Sequence, residues 1–294
     1  MPHTAFSKWS PGGNTTLLFP AAGLDSARQA ALARQVLEPS VLGGEQVGFV
    51  DVGNKSLCMA GGEFCVNAAR AVGALLACRC GEAVPPPSAA AANMLADMLP
   101  NAACAFPALG EYRDAIRVSG WHSPVRLRAR GNAPHWRVEA ELTLPVLPPP
   151  EKRGDAFLVR LPGICHLLVE EPAFPSPDHC HDQAAALRAK HGLTGESAAG
   201  VIWWRHNGEQ PEMLPLVHVR DTDSAFLENA CGSGALALAL HLARGGTRRD
   251  FSIRQPGGTS LDVRLSFRDG ADTAAVDGPV SLVAKGHVWL DDPA

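Results

Sequence analysis

Residues 61–77, GGEFCVNAARAVGALLA, decide the fold because they have a near-duplicate later in the chain, ENACGSGALALALHLA at residues 228–243. In each stretch a cysteine, Cys65 or Cys231, stands directly before a long apolar run. Each run has the length of a helix and is apolar on almost every side, which is typical of a helix buried in the protein interior. The sequence therefore predicts two similar α/β units, each with a cysteine-headed helix in the middle of a curved sheet.

The position of each cysteine also indicates a chemistry. The first turn of a helix has unpaired backbone N–H groups and a partial positive charge, so it binds anions such as carboxylates and favours a thiolate over a thiol. Two such helix ends facing one another would hold a carboxylate and place one thiol on each side of the adjacent carbon. One thiolate would remove the α-proton while the opposite thiol donated another. This is the arrangement of a two-base racemase that needs no cofactor.

Composition excludes several other classes of protein. The 294 residues are 46% hydrophobic and 19% charged, with a net charge of −4, and they include no basic block or basic–aromatic stripe suited to nucleic acid. The longest apolar runs are far shorter than a membrane span. The first residues, MPHTAFSKWSPGGN, lack the basic start and apolar core of a signal peptide. We therefore expect a cytoplasmic protein that binds neither nucleic acid nor membrane.

The remaining cysteines and the lysines indicate no cofactor. All eight cysteines are expected to be reduced in a chain of this size without an export signal. The run His179-Cys180-His181-Asp182 contains metal-ligand residue types, but no second pair with zinc-type spacing accompanies it. None of the lysines lies in a recognisable pyridoxal phosphate setting; they are Lys8, Lys55, Lys152, Lys190 and Lys285. We expect no bound metal and no cofactor.

Short apolar strands and helical stretches alternate along the chain. Besides the two cysteine-headed helices, helices are predicted over residues 26–37 and 182–191, the latter ending before Gly192, a natural C-cap. Strands are predicted over residues 16–19, 47–52, 115–118, 125–129, 136–144, 157–161, 166–170, 200–204, 216–220, 251–254, 260–267 and 281–290. This order of elements predicts two similar α/β domains with a cleft between them.

The expected boundary between the two domains lies near residues 118–123, where SGWHSP interrupts two strand-like segments. The proline-rich stretch 144–154 has strands of the same pattern on both sides, so it is interpreted as a connection within one domain. The last strands are expected to return to the first domain. The N-terminal domain then comprises residues 1–120 plus 278–294, and the C-terminal domain comprises residues 121–277.

Five motifs occur along the chain in a fixed order. They are FSKWSPGGN (6–14), EQVGFV (45–50), EFCVNAAR (63–70), ENACGSGA (228–235) and PGGTSLDV (256–263). Together they resemble the diaminopimelate epimerase fold and, within it, most closely the cofactor-independent histidine racemases of opine-metallophore synthesis. The likeness covers residues 6–290. It implies two pseudo-symmetric domains, each a barrel-like, mainly antiparallel sheet around a central helix, with the active site between them.

The resemblance also implies roles for individual residues. The catalytic acid and base are Cys65 and Cys231. His166 falls where epimerases place a histidine that hydrogen-bonds a catalytic thiol. The expected substrate-binding residues are Asn14, Gln46, Val66, Asn67, His166, Gly232 and Ser233. Three nearby carboxylates are interpreted as cap or surface groups in preference to contacts with a substrate amine; they are Glu45, Glu63 and Glu228.

Departures from the epimerase pattern bear on the substrate. Val66 and Ala68 replace glycines, which crowds the pocket and penalises positive φ. Residues 58–61, CMAG, replace the Asn-Ala-Asp-Gly run that epimerases place before the first cysteine, and Thr222-Asp223 replaces a Glu-Arg pair before the second. The replaced residues help to hold diaminopimelate, including its distal amino-acid head, whose charges would otherwise be buried without partners. Diaminopimelate is therefore disfavoured.

The leading hypothesis is an isomerase: a pyridoxal-independent amino-acid racemase that acts on a small-molecule amino acid, with histidine as the expected substrate. An epimerase of diaminopimelate or of another amino acid on the same fold is an alternative. The related phenazine-type isomerases lack the cysteine pair, which argues against that branch. A non-enzymatic thiol sensor or metal-binding protein is the remaining alternative. A homodimer is left open.

Overall fold

The computed structural model describes residues 3–21, 23–83, 111–268 and 270–290, which form a sheet-dominated α/β fold. The helices are α1 (Ser26–Leu37), α2 (Val66–Ala83), α3 (Pro177–Lys190) and α4 (Gly232–Leu242). The strands are β1 (His3–Pro11), β2 (Thr16–Pro20), β3 (Gln46–Asp51), β4 (Ser56–Met59), β5 (Glu111–Val118), β6 (Val125–Asn132), β7 (His135–Thr143), β8 (Glu151–Arg153), β9 (Ala156–Leu161), β10 (Ile164–Glu170), β11 (Ala198–Asn207), β12 (Gln210–Val219), β13 (Ser224–Leu227), β14 (Asp250–Arg254), β15 (Ser260–Arg268) and β16 (Ala271–Trp289).

The first half of the fold is a closed eight-stranded barrel around α2. Strands β1 to β7 follow one another around the ring, and β16 pairs with both β7 and β1 to close it. Helix α2 runs inside and contacts all eight strands. Small residues allow this fit, since a Cβ on Gly73 would lie 3.0 Å from Val138 Cγ1. The predicted helix buried in a curved sheet is confirmed.

The second half uses the same long strand. From β16 the sheet continues through β15, β14, β12, β11, β10 and β9 to β8, with β13 pairing on β12. Helix α4 packs against β9, β10, β14 and β15, and the residues from Gly232 to Ala239 are all buried. Both cysteine-headed helices are therefore central, each in its own part of one continuous sheet.

The strand pairing does not place a domain boundary near residue 120, where one was expected. Inside the closed barrel, β6 pairs with β5 and β7, and β7 also pairs with β16. Antiparallel connections carry the chain from β5 through β6 to β7. The chain leaves the barrel only after Thr143, in the proline-rich segment that the sequence analysis interpreted as internal. We therefore propose a domain boundary within residues 144–150, with β16 returning to the first barrel.

Helices α1 and α3 cover the outer faces of the sheet. Ala33 and Val36 of α1 pack on a buried cluster with Phe19 and Phe49, and Asp25 caps this helix by accepting a 2.9 Å hydrogen bond from the N–H of Arg28. Helix α3 contributes residues to a second cluster on the other half. It begins at Pro177, five residues before the predicted start, because proline suits the first helical turn.

The free thiols among the described side chains include Cys58, Cys65, Cys165, Cys180 and Cys231. The described ranges contain no group of three or more His, Cys, Asp or Glu side chains placed to hold a metal. In the 179–182 run, His179 contacts the Ser176 hydroxyl and Cys180 lies against the carbonyl oxygens of Pro175 and Ser176. None of the described helices has the length and hydrophobicity required to cross a membrane.

Candidate active site

The N-termini of α2 and α4 meet at a closed cavity between the two halves. Cys65, Val66 and Asn67 line it from one side, and Cys231, Gly232 and Ser233 line it from the other. Its volume is about 30 Å³, which is room for about one water molecule. The structure thus brings both predicted catalytic cysteines to one cavity.

Direct contacts hold the two helix ends together. The amide Nδ2 of Asn67 donates a 2.7 Å hydrogen bond to the carbonyl oxygen of Ala230, directly before Cys231. A Cβ on Gly232 would lie 2.8 Å from Val66 Cβ and 3.0 Å from Asn67 Oδ1, so this position requires glycine. Val66 does crowd this junction. The expected φ penalty is absent, because the described non-glycine residues with positive φ are Lys55 and Asp223.

The Cys65 thiol is held by polar groups from its own half. It donates a 2.9 Å hydrogen bond to Gln46 Oε1 and accepts one from the N–H of Ala68, 3.3 Å away in the first turn of α2. Gln46 Nε2 in turn donates to Glu228 Oε1 at 2.5 Å. Gln46, one of the predicted site residues, therefore connects the first thiol to a carboxyl group of the opposite half.

The Cys231 thiol caps α4. Its sulfur accepts from the N–H of Gly234 at 3.4 Å and lies 3.6 Å from Ser233 Oγ. Its own backbone N–H donates to Oε1 of the buried Gln255 at 2.9 Å. Gln255 was missed by sequence reasoning, although it directly precedes the PGG of the fifth motif. It anchors the residue that carries the second thiol.

Burial of both sulfurs opposes the thiolate form that the helix ends favour. Burial, reinforced by the neighbouring Glu228 carboxyl, raises the pKa of Cys65 and of Cys231 well above the ordinary value. The N–H groups of Ala68 and Gly234 lower the pKa of their respective thiols, as the helix-end argument predicts. Removal of water from both sulfurs outweighs that effect. A thiolate therefore forms only when a ligand or an opening motion changes these surroundings.

Three carboxyl groups surround the cavity, and two of them are buried, contrary to the expectation of cap or surface groups. Glu228 is 2% exposed and Glu63 is 9% exposed. Burial raises the pKa of Glu228 to about 8, helped by the charge of Glu45, and raises the pKa of Glu63 to about 7. Oε2 of Glu228 has no hydrogen-bond partner among the described residues. The signal for Glu228 was its place three residues before Cys231.

The Glu45 carboxyl group forms hydrogen bonds to both halves of the fold. Its carboxyl accepts hydrogen bonds from Asn14 Nδ2 (3.0 Å) and the N–H of Thr15 (3.1 Å) on one side. On the other side it accepts from both the backbone N–H and the amide of Asn229, at 3.1 and 3.0 Å. Asn14, a predicted substrate-binding residue, is fully buried. It donates to the Glu45 carboxyl group and does not line the cavity.

His166 lies behind Ser233 and is not bonded to a thiol. Its Nε2 is 3.0 Å from Ser233 Oγ, which places Ser233 between the imidazole and Cys231. Burial lowers the pKa of His166 to about 3, so the ring is neutral. Gly200 makes room for it, since a Cβ there would lie 2.3 Å from His166 Nδ1. The direct thiol contact that the resemblance implied is replaced by a relay through Ser233.

The chain is similar in sequence to known histidine racemases. The chain is 27% identical over 293 residues to a histidine racemase of Fusobacterium nucleatum subsp. nucleatum, covering 97% of each chain. It is 24% identical over 299 residues to a histidine racemase of Staphylococcus aureus, again covering 97% of each. Both alignments span the two halves of the fold.

Solved structures and a family description agree with these relatives. A hydroxyproline epimerase from Agrobacterium vitis has the same fold with a TM-score of 0.60 at 13% identity, covering 99% of this chain and 94% of that one. A phenazine biosynthesis protein of the PhzF family from Bacillus anthracis gives 0.55 at 9% identity, covering 99% and 100%. Residues 3–289 match the family described as histidine racemase CntK N-terminal domain. The chain therefore belongs to the histidine racemase family and is an isomerase, a racemase by class.

Proposed function

We propose that this protein is a cofactor-independent histidine racemase in which Cys65 and Cys231 are the two acid–base groups. One observation carries the proposal: the two thiols, from separate halves of the fold, line the same closed cavity at facing helix ends. Neither thiol is oxidised. A substrate carbon held between them has one sulfur on each face, which is what inversion at that carbon requires.

The proposed reaction balances without any external group. One sulfur, as thiolate, takes the α-proton, so a C–H bond breaks and an S–H bond forms. The opposite thiol gives its proton to the other face of the carbanion. The negative charge moves into the substrate carboxylate, which would face the first-turn N–H groups of α2 and α4. Such preorganised donors typically contribute about 3–4 kcal/mol each to an oxyanion site.

Substrate binding would bring a positive charge to the carboxyl groups around the cavity. The α-ammonium group of an amino acid would enter beside Glu228, whose Oε2 has no partner among the described residues. A positive charge there offsets the carboxylate that raises the pKa of both thiols. We infer that the first thiolate forms in the substrate complex, with Gln46 connecting Glu228 to Cys65.

Several features support histidine over a longer dicarboxylate. The relatives from F. nucleatum and S. aureus are histidine racemases. Thr222 stands where epimerases carry a carboxylate for diaminopimelate. Its hydroxyl group is hydrogen-bonded to Ser224 Oγ, 2.8 Å away. No lysine or arginine is among the described residues that line this cavity, so it offers neither a Schiff-base amine nor a cationic clamp for a distal carboxylate.

The test is incubation of the protein with each L-amino acid in D2O, with α-deuterium scored by NMR. L-Histidine is expected to exchange, without added pyridoxal phosphate and after EDTA treatment. A clear preference for LL-diaminopimelate would overturn the substrate assignment. Exchange that appears only when pyridoxal phosphate or a metal is added would overturn the cofactor-independent mechanism, and inertness toward every amino acid would overturn the activity itself.

A further inference from the structure

Two groups among the residues that line the cavity are relevant to a bound amino acid. One group comprises the helix ends that carry the thiols, together with Gln46 and Glu228. The other is a wall formed by β12, β13 and the turn between them; it consists of Val217, Val219, Thr222, Ser224 and Phe226. The first group holds the reacting carbon in the proposed function. The second group is therefore where a side chain would lie.

Glu63 is the carboxyl group next to this wall. A Cβ on Gly61 would lie 2.9 Å from Glu63 Oε2 and 2.3 Å from Val219 Cγ1, so the carboxyl and the β12 side chain approach the same point from opposite halves. Oε2 of Glu63 accepts one hydrogen bond, at 3.0 Å from the N–H of Gly61. The carboxyl group also interacts with the backbone N–H of Glu63 itself, and no side-chain donor among the described residues contacts it.

No cation of the protein accompanies the carboxyl groups at the cavity. Glu45, Glu63 and Glu228 form no ion pair with a described lysine, arginine or histidine, and burial is the main influence on each. Carboxyl groups buried in this way are costly unless a partner arrives. Oε2 of Glu228 has no partner among the described residues, and the described donors to the Glu63 carboxyl are backbone N–H groups. Each of these two carboxyl groups would gain a partner from an N–H group of a ligand.

We infer that Glu63 selects the substrate by accepting a hydrogen bond from a ring N–H of its side chain, while Glu228 receives the α-ammonium group. This inference rests on the proposed function. The wall fits the assignment, because the flat faces of a five-membered ring pack against the aliphatic and aromatic groups of Val217, Val219 and Phe226. The selected class is an amino acid with a compact planar side chain that carries an N–H donor.

The energetic consequence is discrimination against rings without a donor. A substrate of the same size but without an N–H would leave the Glu63 carboxyl buried and unpaired. Sites built to hydrogen-bond a substrate N–H reject the analogue that lacks it by large factors, because the buried acceptor then loses its partner. Glu63 is thus a specificity-determining residue rather than an acid or base of the reaction.

The experiment compares L-histidine with β-(2-thienyl)-L-alanine, whose five-membered ring has similar size but no N–H. Values of kcat/KM for α-proton exchange in D2O are measured at pH 8 for the wild type, for Glu63→Met and for Glu209→Gln, an exposed control on the β11–β12 turn. The wild type and the control are expected to prefer histidine by about 100-fold or more. Glu63→Met should lower that ratio at least about 10-fold, chiefly through a higher KM for histidine.

The outcomes separate this inference from the proposed function. Wild-type protein that exchanges neither amino acid would refute the proposed function. Wild-type protein that exchanges thienylalanine within about 10-fold of histidine refutes the role of Glu63 while the racemase stands, and this arm does not depend on the folding of any variant. A folded Glu63→Met protein, checked by its melting temperature, with an unchanged substrate ratio also refutes that role.

Discussion

Gln46 Nε2 donates a 2.5 Å hydrogen bond to Glu228 Oε1, while Gln46 Oε1 accepts a 2.9 Å hydrogen bond from the Cys65 thiol. A residue of β3 thus joins the first thiol to a carboxyl group that belongs to the loop before the second thiol. Because Glu228 also lies beside Cys231, one amide and one carboxyl group connect the whole acid–base pair.

Removing this amide should slow the reaction without unfolding the protein. Gln46→Ala breaks the link between Glu228 and Cys65, so kcat for histidine racemisation should fall about 100-fold, the range for misplacement of a reacting group by about 1 Å. Gln210→Ala, which removes an amide bonded to Ser260 far from the cavity, serves as the control. Steady-state kinetics by circular dichroism measure both. A Gln46→Ala enzyme with wild-type kcat would show that the link has no part in catalysis.

Stability should fall as the pH rises, in contrast to the usual behaviour of paired carboxylates. Burial raises the pKa of Glu228 from 4.5 to about 8 and that of Glu63 to about 7. The folded protein therefore binds more protons than the unfolded chain between these values, so the free energy of unfolding decreases from about pH 4.5 to about pH 8 and levels off above it. Glu228→Gln has no titrating group at this position and should flatten the decline.

The measurement is the melting temperature of the ligand-free protein from pH 5 to pH 9, for the wild type and Glu228→Gln. A wild-type curve that climbs over this interval, or a variant with an unchanged slope, would contradict the burial of an ionisable carboxyl at this position.

Gly232 should tolerate no side chain unless its neighbour shrinks. Gly232→Ala places a Cβ 2.8 Å from Val66 Cβ, which pushes the two helix ends apart and should abolish most activity. Overpacking of this kind typically costs about 1–3 kcal/mol. The double variant Val66→Gly/Gly232→Ala should recover part of the activity. Gly246→Ala, where a Cβ meets nothing within 4 Å, is the control. Failure of the double variant to improve on Gly232→Ala would show that the contact with Val66 is not the obstacle.

Much of this arrangement is readable from the sequence, because it depends on local patterns. The apolar runs after Cys65 and Cys231 identify two buried helices, and the predicted bounds of α1 match the structure. The first ten residues of β16 were missed, since its sequence from Ala271 to Val280 contains Asp, Gly and Pro, which are poor strand formers. Its position is fixed by pairing on both sides, with β7 and β15, and no local pattern records that.

Some of the predicted site residues line the cavity and others do not, for the same reason. Gln46 and Asn67 lie in motifs and reach the cavity, whereas Asn14 supports Glu45 from behind. The raised pKa of the two thiols could not be read from the sequence, because a helix end is a local property, while burial is a property of the whole fold. The carboxyls of Glu63 and Glu228 were assigned to the surface because nothing in their immediate sequence shows that the opposite half covers them.

Mild oxidation should inactivate the protein by joining Cys65 to Cys231. Both thiols are reduced and line the same cavity, so a relative movement of the two helix ends is expected to bring the sulfurs within bonding distance. Peptide mapping should find this linkage, and a reductant should restore activity. Cys58→Ser, which alters a more exposed cysteine, should leave the inactivation unchanged. A disulfide elsewhere, with Cys65 and Cys231 still free, would contradict the proximity of the pair.

Each cysteine should be indispensable for inversion but not for elimination. Cys65→Ser and Cys231→Ser should each lose racemase activity, because a hydroxyl is a far poorer base than a thiolate near neutral pH. Each variant keeps one thiol, so it should still eliminate from the substrate enantiomer whose α-proton faces that thiol, when the substrate carries a leaving group at the β-carbon. Elimination is measured by pyruvate release from β-chloroalanine enantiomers. Full racemisation by either variant would exclude the two-thiol mechanism.

The placement of deuterium at early times tests the central claim most directly. L-Histidine is incubated with the wild-type protein in D2O, and both enantiomers are separated and analysed by NMR while conversion is small. Two thiols on opposite faces predict that newly formed D-histidine carries α-deuterium, because the donating thiol has exchanged with solvent, while the remaining L-histidine is still protiated. D-Histidine that retains the original proton, or L-histidine that gains deuterium as fast as D-histidine forms, would mean that a single group serves both faces.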